Sequence, residues 1–225
     1  MRVAVVVPVH GNETTLRPLA QRLGTALAGR DWRLRLVIDA SPDDSGAVAG
    51  ALAGDDHRIG VTWLTVNVGQ HAALAHGLAA EPEADAWVCL DADLQDPPEA
   101  VPALLDRLAA GDVSAVFAGR RGRYESRMRR LTGTVHRRVV ARLTGLPPDA
   151  GAFLAMDAAV RDAVVSAVRD RDAPSVVLAV GRSGRPVTSL PVERDVRAEG
   201  RSAWSGRARL RQSVRSLVWA VRSRR

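Results

Sequence analysis

The chain of 225 residues is 46% hydrophobic and 25% charged, a globular composition at a length that suits one domain with a sizeable core. All 32 basic residues are arginine, and the net charge of +7 favours anionic partners such as phosphates or an acidic lipid surface. The single cysteine, Cys89, excludes an internal disulfide, and no run approaches the roughly 20 apolar residues that a bilayer span requires.

Strand-like and helix-like segments alternate from the first residues onward. Arg2 to Val9 predicts a buried strand that leads directly into the fold, so the opening MRVAVVVPVHGNE is not read as a signal peptide. A turn at Gly11-Asn12 precedes a helix over Glu13 to Leu27, where Leu16, Leu19, Leu23 and Leu27 share one face. Leu34 to Asp39 predicts a second strand ending in the polar loop ASPDDSG. Val61 to Val66 predicts a third, followed by a small-residue helix over Gln70 to Ala80. A fourth strand is predicted over Trp87 to Leu90, a helix over Glu99 to Ala110 opens after two prolines, and a fifth strand covers Ser114 to Ala118.

Beyond Gly119 the pattern changes. Six arginines fall between Arg120 and Arg130, in a polar loop that enters a helix over Thr132 to Leu143. The turn-rich GLPPDAGAFLAM then leads to helical pieces at Ala158 to Val168 and Val176 to Val180, and to a late strand at Val187 to Val192. With no internal repeat or low-complexity linker, the expected organisation is one α/β domain over residues 1–205 and a basic amphipathic helix over 206–225. Repeated strand–helix–strand units predict a mostly parallel central sheet with helices on both faces, and ligands in such sheets sit beyond the carboxyl ends of the strands. Asp39 and Asp91 both fall at such ends.

The stretch WVCLDADLQDPPE turns abruptly from apolar to acidic, and carboxylates this close repel unless a cation or a set of donors holds them. Asp91 and Asp93 are two apart, so on an extended backbone both leave the same face. Two hard oxygen ligands suit Mg2+ or Mn2+, with water and substrate phosphates completing the shell, and Gln95 continues the alternation with a carbonyl oxygen. The plain alternative is a solvated acidic loop, since a lone D-x-D is a weak pattern. Asp39 is placed to accept from a base N–H or ribose hydroxyl, or to make an ordinary Asx turn. His71 and His76 are five apart, a poor spacing for one metal on a helix face, and read as packing or surface residues.

Together these segments resemble the family 2 glycosyltransferases with the GT-A (Rossmann-like) fold, and the resemblance covers nearly the whole chain. VVVPVHGNE resembles their opening nucleotide-binding strand, VIDASPDDS their V-D-D-G-S-x-D-G-T, and NVGQHAALAHGL their N-x-G-x-x-x-A-x-x-x-G. DADLQDPPE is similar to D-A-D-L-Q-x-P-P-E, a form that points to the polyprenyl-phosphate branch, with dolichol-phosphate mannose synthase and the undecaprenyl-phosphate aminoarabinose transferase. Late in the chain PDAGAFLAM resembles D-x-G-D-F-R-L-M, and RAEGRSAW resembles R-x-x-G-x-S-K-Y.

The resemblance implies an inverting transfer of sugar from a GDP- or UDP-linked donor to a polyprenyl phosphate, with Mg2+ or Mn2+ as cofactor. It implies that Pro8 and Glu13 line the nucleotide pocket, Asp39 contacts the base, and Asp91 contacts the donor and the metal. Asp93 and Gln95 would bind the metal directly, Arg120 would sit near the diphosphate, and Asp149, Arg197 and Arg201 would border the donor sugar or acceptor phosphate. Three positions depart from the pattern: Ile38 replaces the first Asp of D-D, Ala152 to Leu154 replaces D-F-R, and Ala203 replaces the lysine of S-K-Y. The donor half matches and the acceptor half has drifted, so a soluble small-molecule acceptor, or a non-catalytic sugar-nucleotide binding protein, stands beside the lipid reading. A phosphate acceptor is already largely anionic and needs no strong base; a hydroxyl acceptor would need one, with Asp149 the candidate.

In the tail, Leu210, Val214, Leu217, Val218 and Val221 share one helical face bordered by arginines, which reads either as a membrane-surface helix or as a helix docked on the domain. The expected location is cytoplasmic and peripheral at the inner membrane face. A nucleic-acid partner is not expected, because no recognised module or aromatic stacking surface accompanies the arginines.

Overall fold

The computed structural model describes residues 1–121, 144–170, 173–194 and 218–219. Strand β1 (Arg2–Val9) is built from β-branched residues buried on both faces, which puts it in the middle of the sheet. Helix α1 (Leu16–Ala26) follows, then β2 (Asp31–Asp39), α2 (Ser45–Asp55), β3 (Ile59–Leu64), α3 (Gln70–Ala80) and β4 (Ala86–Cys89). A short 3-10 turn (Pro98–Ala100) runs into α4 (Val101–Ala109), followed by β5 (Ala115–Arg121), β6 (Leu154–Met156), α5 (Ala158–Asp170), α6 (Val176–Arg182) and β7 (Val187–Glu193).

The described strands form one seven-stranded sheet in the order β3-β2-β1-β4-β6-β5-β7. The pairs β1–β2, β1–β4, β2–β3 and β5–β7 are parallel, and β6 is antiparallel to both its neighbours. Six strands therefore point one way and only β6 points back. Alternation along each strand divides the core into two layers. Val3, Val5, Val7, Leu34, Leu36 and Val88 pack under α1 and α4, while Ala4, Val6, Val37, Trp87, Phe117 and Leu154 pack under α3, α5 and α6. The mostly parallel sheet with helices on both faces is the architecture expected from the sequence.

Two elements escape the sequence pattern. Helix α2 is rich in Gly and Ala, with only Ser45 and Ala49 fully buried and Val48 and Leu52 partly so, which leaves a weak apolar stripe. Strand β6 is three residues long, too short to stand out from its turn-rich flank. Strand β3 starts two residues before the predicted Val61 and stops before Val66, which is 64% exposed beside the open edge. The predicted helix over Thr132 to Leu143 lies outside the described residues. So does the 206–225 segment apart from Val218 and Trp219, which are helical; Trp219 is partly buried against the second core layer. Among the described residues no helix is long and apolar enough to cross a membrane.

Helix α3 sits close on the sheet because Gly77 has no side chain: a Cβ there would run into Val6 Cγ1 and come within 2.7 Å of Val37 Cγ2. Gly77→Ala gains about 1 kcal/mol of helix propensity but forces apart two stiff β-branched side chains. A net destabilisation of about 1–2 kcal/mol is expected, read as a lower urea midpoint at unchanged slope.

Candidate active site

Since six strands are co-directional, the ends of β1, β2, β3, β4, β5 and β7 meet along one edge of the sheet, and the residues before the reversed β6 return to it. The order turns back at β1, which lies between β2 and β4, so the crevice at this edge is the place where an open α/β sheet receives a ligand. Pro8 is half-buried near the end of β1, opposite Val37 in β2.

Asp39, at the end of β2, is only 3% exposed. Its Oδ1 accepts from the Val68 amide at 2.7 Å and its Oδ2 from the Gly69 amide at 2.8 Å, so this carboxylate fixes the loop that opens α3. The next residue, Ala40, has φ +44, a left-handed strain of about 1–3 kcal/mol in a non-glycine residue. His10 Nδ1 lies 2.9 Å from the Asp39 carbonyl oxygen and 3.1 Å from Asn67 Nδ2. His10 and Asn67 carry no spacing signal in the sequence, because their contacts join loops that meet only in the fold.

A second carboxylate joins the loops after β1 and β2. The Gly11 amide donates to Ser41 Oγ at 2.8 Å, the Asn12 amide to Ser45 Oγ at 2.9 Å, and the Glu13 amide to Asp43 Oδ2 at 3.1 Å. Asp43 Oδ1 accepts from Ser41 Oγ at 2.5 Å and from the Ser45 amide at 3.2 Å. Glu13 answers with Oε2, which accepts from the Asp44 amide at 3.0 Å, satisfying an orphan donor at the start of α2. Burial alone would raise the Asp43 pKa, but the Ser41 and Ser45 hydroxyls and the two amides outweigh it and hold the carboxyl at about 2. Asp43 was visible in the sequence only as part of a polar loop.

After β4 the chain enters the acidic loop. Asp91 and Asp93 are both half-buried. Asp91 falls in register with Trp87 and Cys89 and so faces α3, where Gln70 Nε2 donates to its Oδ1 at 2.5 Å. Asp93 Oδ1 accepts from the Gln95 amide at 3.1 Å, closing a tight turn that puts Leu94 at φ +61. The loop is tied at both flanks. Asp96, almost fully buried, takes Arg194 Nε at 2.5 Å, and Glu99 takes Arg22 Nε and Nη2 at 2.8 and 2.7 Å. The Arg22 guanidinium is the largest influence on Glu99 and holds its carboxyl below the usual range. Cys89, just before the loop, is pushed up by burial and then by Asp91, and so stays a thiol.

Asp149, in the turn before β6, packs its carboxylate directly over Gly119 of β5, where a Cβ would collide with it. Its Oδ1 is buried without a hydrogen-bond partner among the described residues. The Arg120 backbone lies in β5 at this same edge, paired with Val192, while Arg197 and Arg201 lie outside the described residues. His71 is neutral, held at about 4 by burial, in keeping with a packing role.

No group of three His, Cys, Asp or Glu side chains converges as a metal cage among the described residues. The donor set instead suits a hard divalent ion bound in the open manner. Two half-buried carboxylates and an amide oxygen would supply a few ligands, leaving the remaining positions to a diphosphate and water. A cavity of about 400 Å³ lies at the opposite edge, lined by Arg2, Arg30, Arg33, Arg35 and Arg58. All of these but Arg33 engage carboxylates, so it is a neutralised ion-pair cleft and not an anion site.

The model of the family described as "Glycosyl transferase family 2" matches residues 4–151. The chain belongs to glycosyl transferase family 2. Its relatives include the undecaprenyl-phosphate 4-deoxy-4-formamido-L-arabinose transferases of Pseudomonas aeruginosa (strain UCBPP-PA14), 35% identical over 90% of this chain and 60% of that one, and of Shewanella sediminis (strain HAW-EB3), 32% identical over 90% and 61%. The enzyme of that name from Klebsiella pneumoniae (strain 342) is 35% identical over 64% of this chain and 44% of its own length. The chain thus spans 44–61% of these curated relatives. Among solved structures, glucosyl-3-phosphoglycerate synthase from Mycobacterium tuberculosis, in complex with Mn2+, uridine diphosphate and glucosyl-3-phosphoglycerate, superposes with a TM-score of 0.68. It is 18% identical over 98% of this chain and 79% of that one, a likeness that shows a shared fold.

Two outcomes test this geometry. The Asp43 carboxyl falls from 3.8 to about 2 on folding, so its contribution is fully present above pH 4 and is lost as pH drops from about 4 to about 2. Asp43→Asn is expected to be less stable than the parent at pH 6, with the difference narrowing across that window in pH-dependent urea unfolding. Gly119→Ala is expected to displace Asp149 and lower kcat by about tenfold to a hundredfold, with far-ultraviolet circular dichroism unchanged.

Proposed function

We propose that this chain is a divalent-metal-dependent, inverting glycosyltransferase that moves a sugar from a GDP- or UDP-linked donor to a polyprenyl phosphate. The observation that carries this reading is the pair Asp91 and Asp93, half-buried in one tight loop at the end of β4, beside the point where the strand order turns back. The family membership, the names of the curated relatives, and the Mn2+ and uridine diphosphate bound by the mycobacterial neighbour all support it.

Asp91, Asp93 and Gln95 would hold Mg2+ or Mn2+, which when bound neutralises charge on the departing nucleoside diphosphate. Pro8 and the loop fixed by Glu13 and Asp43 flank the nucleotide. Asp39 serves the base first by fixing the α3 loop through two amides, with one lone pair on each oxygen remaining for a ligand. Gln70 holds Asp91 in its rotamer. By the family resemblance Arg120 would serve the diphosphate, and Arg197 and Arg201, which lie outside the described residues, the donor sugar or acceptor phosphate. A phosphate acceptor arrives as an anion and needs only positioning; for a hydroxyl acceptor the unpartnered Asp149 oxygen is the base. A lipid acceptor requires working at a membrane surface, which the charge of +7 favours.

A soluble small-molecule acceptor, such as a secondary metabolite, is the second reading, and one observation favours it. Ala152 and Leu154, where the family pattern has Asp and Arg, are 6% and 0% exposed, so these positions offer an acceptor no polar group.

The test is hydrolysis and transfer from a panel of GDP- and UDP-sugars with Mn2+, with and without undecaprenyl phosphate or 3-phosphoglycerate. Turnover that stops on adding EDTA, and labelled product that partitions into organic solvent, is the expected result. Aqueous product with 3-phosphoglycerate selects the soluble acceptor. Asp93→Ala is expected to lower kcat by about 10³-fold while the thermal unfolding midpoint is retained; an unchanged rate removes the metal assignment.

A further inference from the structure

The acidic loop holds a contact that the proposed chemistry does not use. Asp96 is 98 positions away from Arg194, yet its Oδ1 takes the Arg194 Nε at 2.5 Å. The two side chains are 3% and 17% exposed, and Asp96 Oδ2 has no hydrogen-bond partner among the described residues. A carboxylate so far out of water is strongly unfavourable unless paired, so the loop cannot easily carry Asp96 elsewhere while Arg194 stays in place. The same loop contains Leu94 at φ +61, a conformation that persists only where the surroundings over-determine it. Glu99 and Arg22 fix the far flank of the loop, and Gln70 fixes its start. Arg194 is the tie on the remaining side. It directly follows β7, whose residues pair in register with β5 at Arg120 and Arg121.

The geometry points to Asp96 and Arg194 as a positioning pair that sets the Asp91–Gln95 loop against the end of β7. Neither residue touches the reacting atoms; both act through Asp93 and Gln95, three residues and one residue before Asp96 in the same loop. The catalytic part of this inference rests on the proposed function, whereas the mechanical part does not.

Two variants that each break one buried ion pair separate positioning from stability. Arg194→Gln breaks the pair at the active edge, and Arg35→Gln breaks the Arg35–Glu81 pair, 2.6 Å long, near the opposite edge. Asp96→Asn keeps an acceptor for Arg194 and serves if Arg194→Gln does not fold. Hydrogen exchange of the amides of residues 92–96 is expected to speed up about tenfold in Arg194→Gln and not in Arg35→Gln. The Mn2+ concentration for half-maximal donor hydrolysis is expected to rise about tenfold in the first variant alone, with Arg194→Lys restoring part of it. Unchanged loop exchange in Arg194→Gln, or an equal rise in Mn2+ requirement in both variants, overturns the positioning role. If the parent protein hydrolyses no donor, the proposed function falls, and the exchange comparison still decides the clamp.

Discussion

Backbone N–H groups at the carboxyl edge of a parallel sheet have no strand to pair with, and this chain supplies their acceptors from acidic side chains. Asp39 takes two amides of the α3 loop, Asp43 takes two amides from the loops after β1 and β2, Glu13 takes one at the start of α2, and Asp93 takes one in its own turn. Each bond removes a cost of about 1–3 kcal/mol for a donor that folding would otherwise leave unsatisfied. The concentration of negative charge that looks unfavourable in the sequence is therefore shared among two tasks. Asp39, Asp43, Glu13 and Asp93 hold loops, and Asp91, engaged by Gln70, lies with Asp93 at the crevice where the proposed cation would sit.

That division explains what was legible in the sequence and what was not. The parallel strands are strongly apolar and β-branched, so β1, β2, β4 and the helices facing them announce themselves by period and composition. Helix α2 does not, because it is stabilised at its start by Glu13 and packs through Ala49 with only partly buried Val48, Leu52 and Ala53 beside it. Its signal is a contact made across 31 residues, not a pattern within the segment. Strand β6 is read only once β4 and β5 are placed, since its three residues take their conformation from the neighbours on both sides.

The same holds at the site. Spacing alone singled out Asp91, Asp93 and Gln95, but the two-residue alternation stops with the strand: the segment is a tight turn with Leu94 at φ +61, not extended backbone. Asp39 was located correctly at a strand end, but its burial and its amide partners come from the β3–α3 loop, which no spacing rule connects to it. His10, Gln70, Asp96 and Arg194 were missed for one physical reason: each gains its role from a partner between 21 and 98 residues away. Asp43 gave a weak local sign, a serine two residues to either side, which is the pattern of a side chain that caps its own turn.

The reversed strand also accounts for where the two halves of the site must differ. Residues 149–153 return to the active edge only because β6 runs back, and of these only Asp149 is charged; Ala152 and Phe153 are consumed by the core. An anionic acceptor therefore needs its cations from other segments. Strands β5 and β7 lie parallel, with Arg120 opposite Val192 and Arg121 opposite Glu193, so the chain leaves the sheet at two adjacent points, each followed by an arginine-bearing stretch. Arg194 at the second exit is held by the carboxylate of the acidic loop. Loss of polar groups before β6 thus leaves Arg194, held against Asp96 of the acidic loop, as the described cation nearest that loop at the β7 exit.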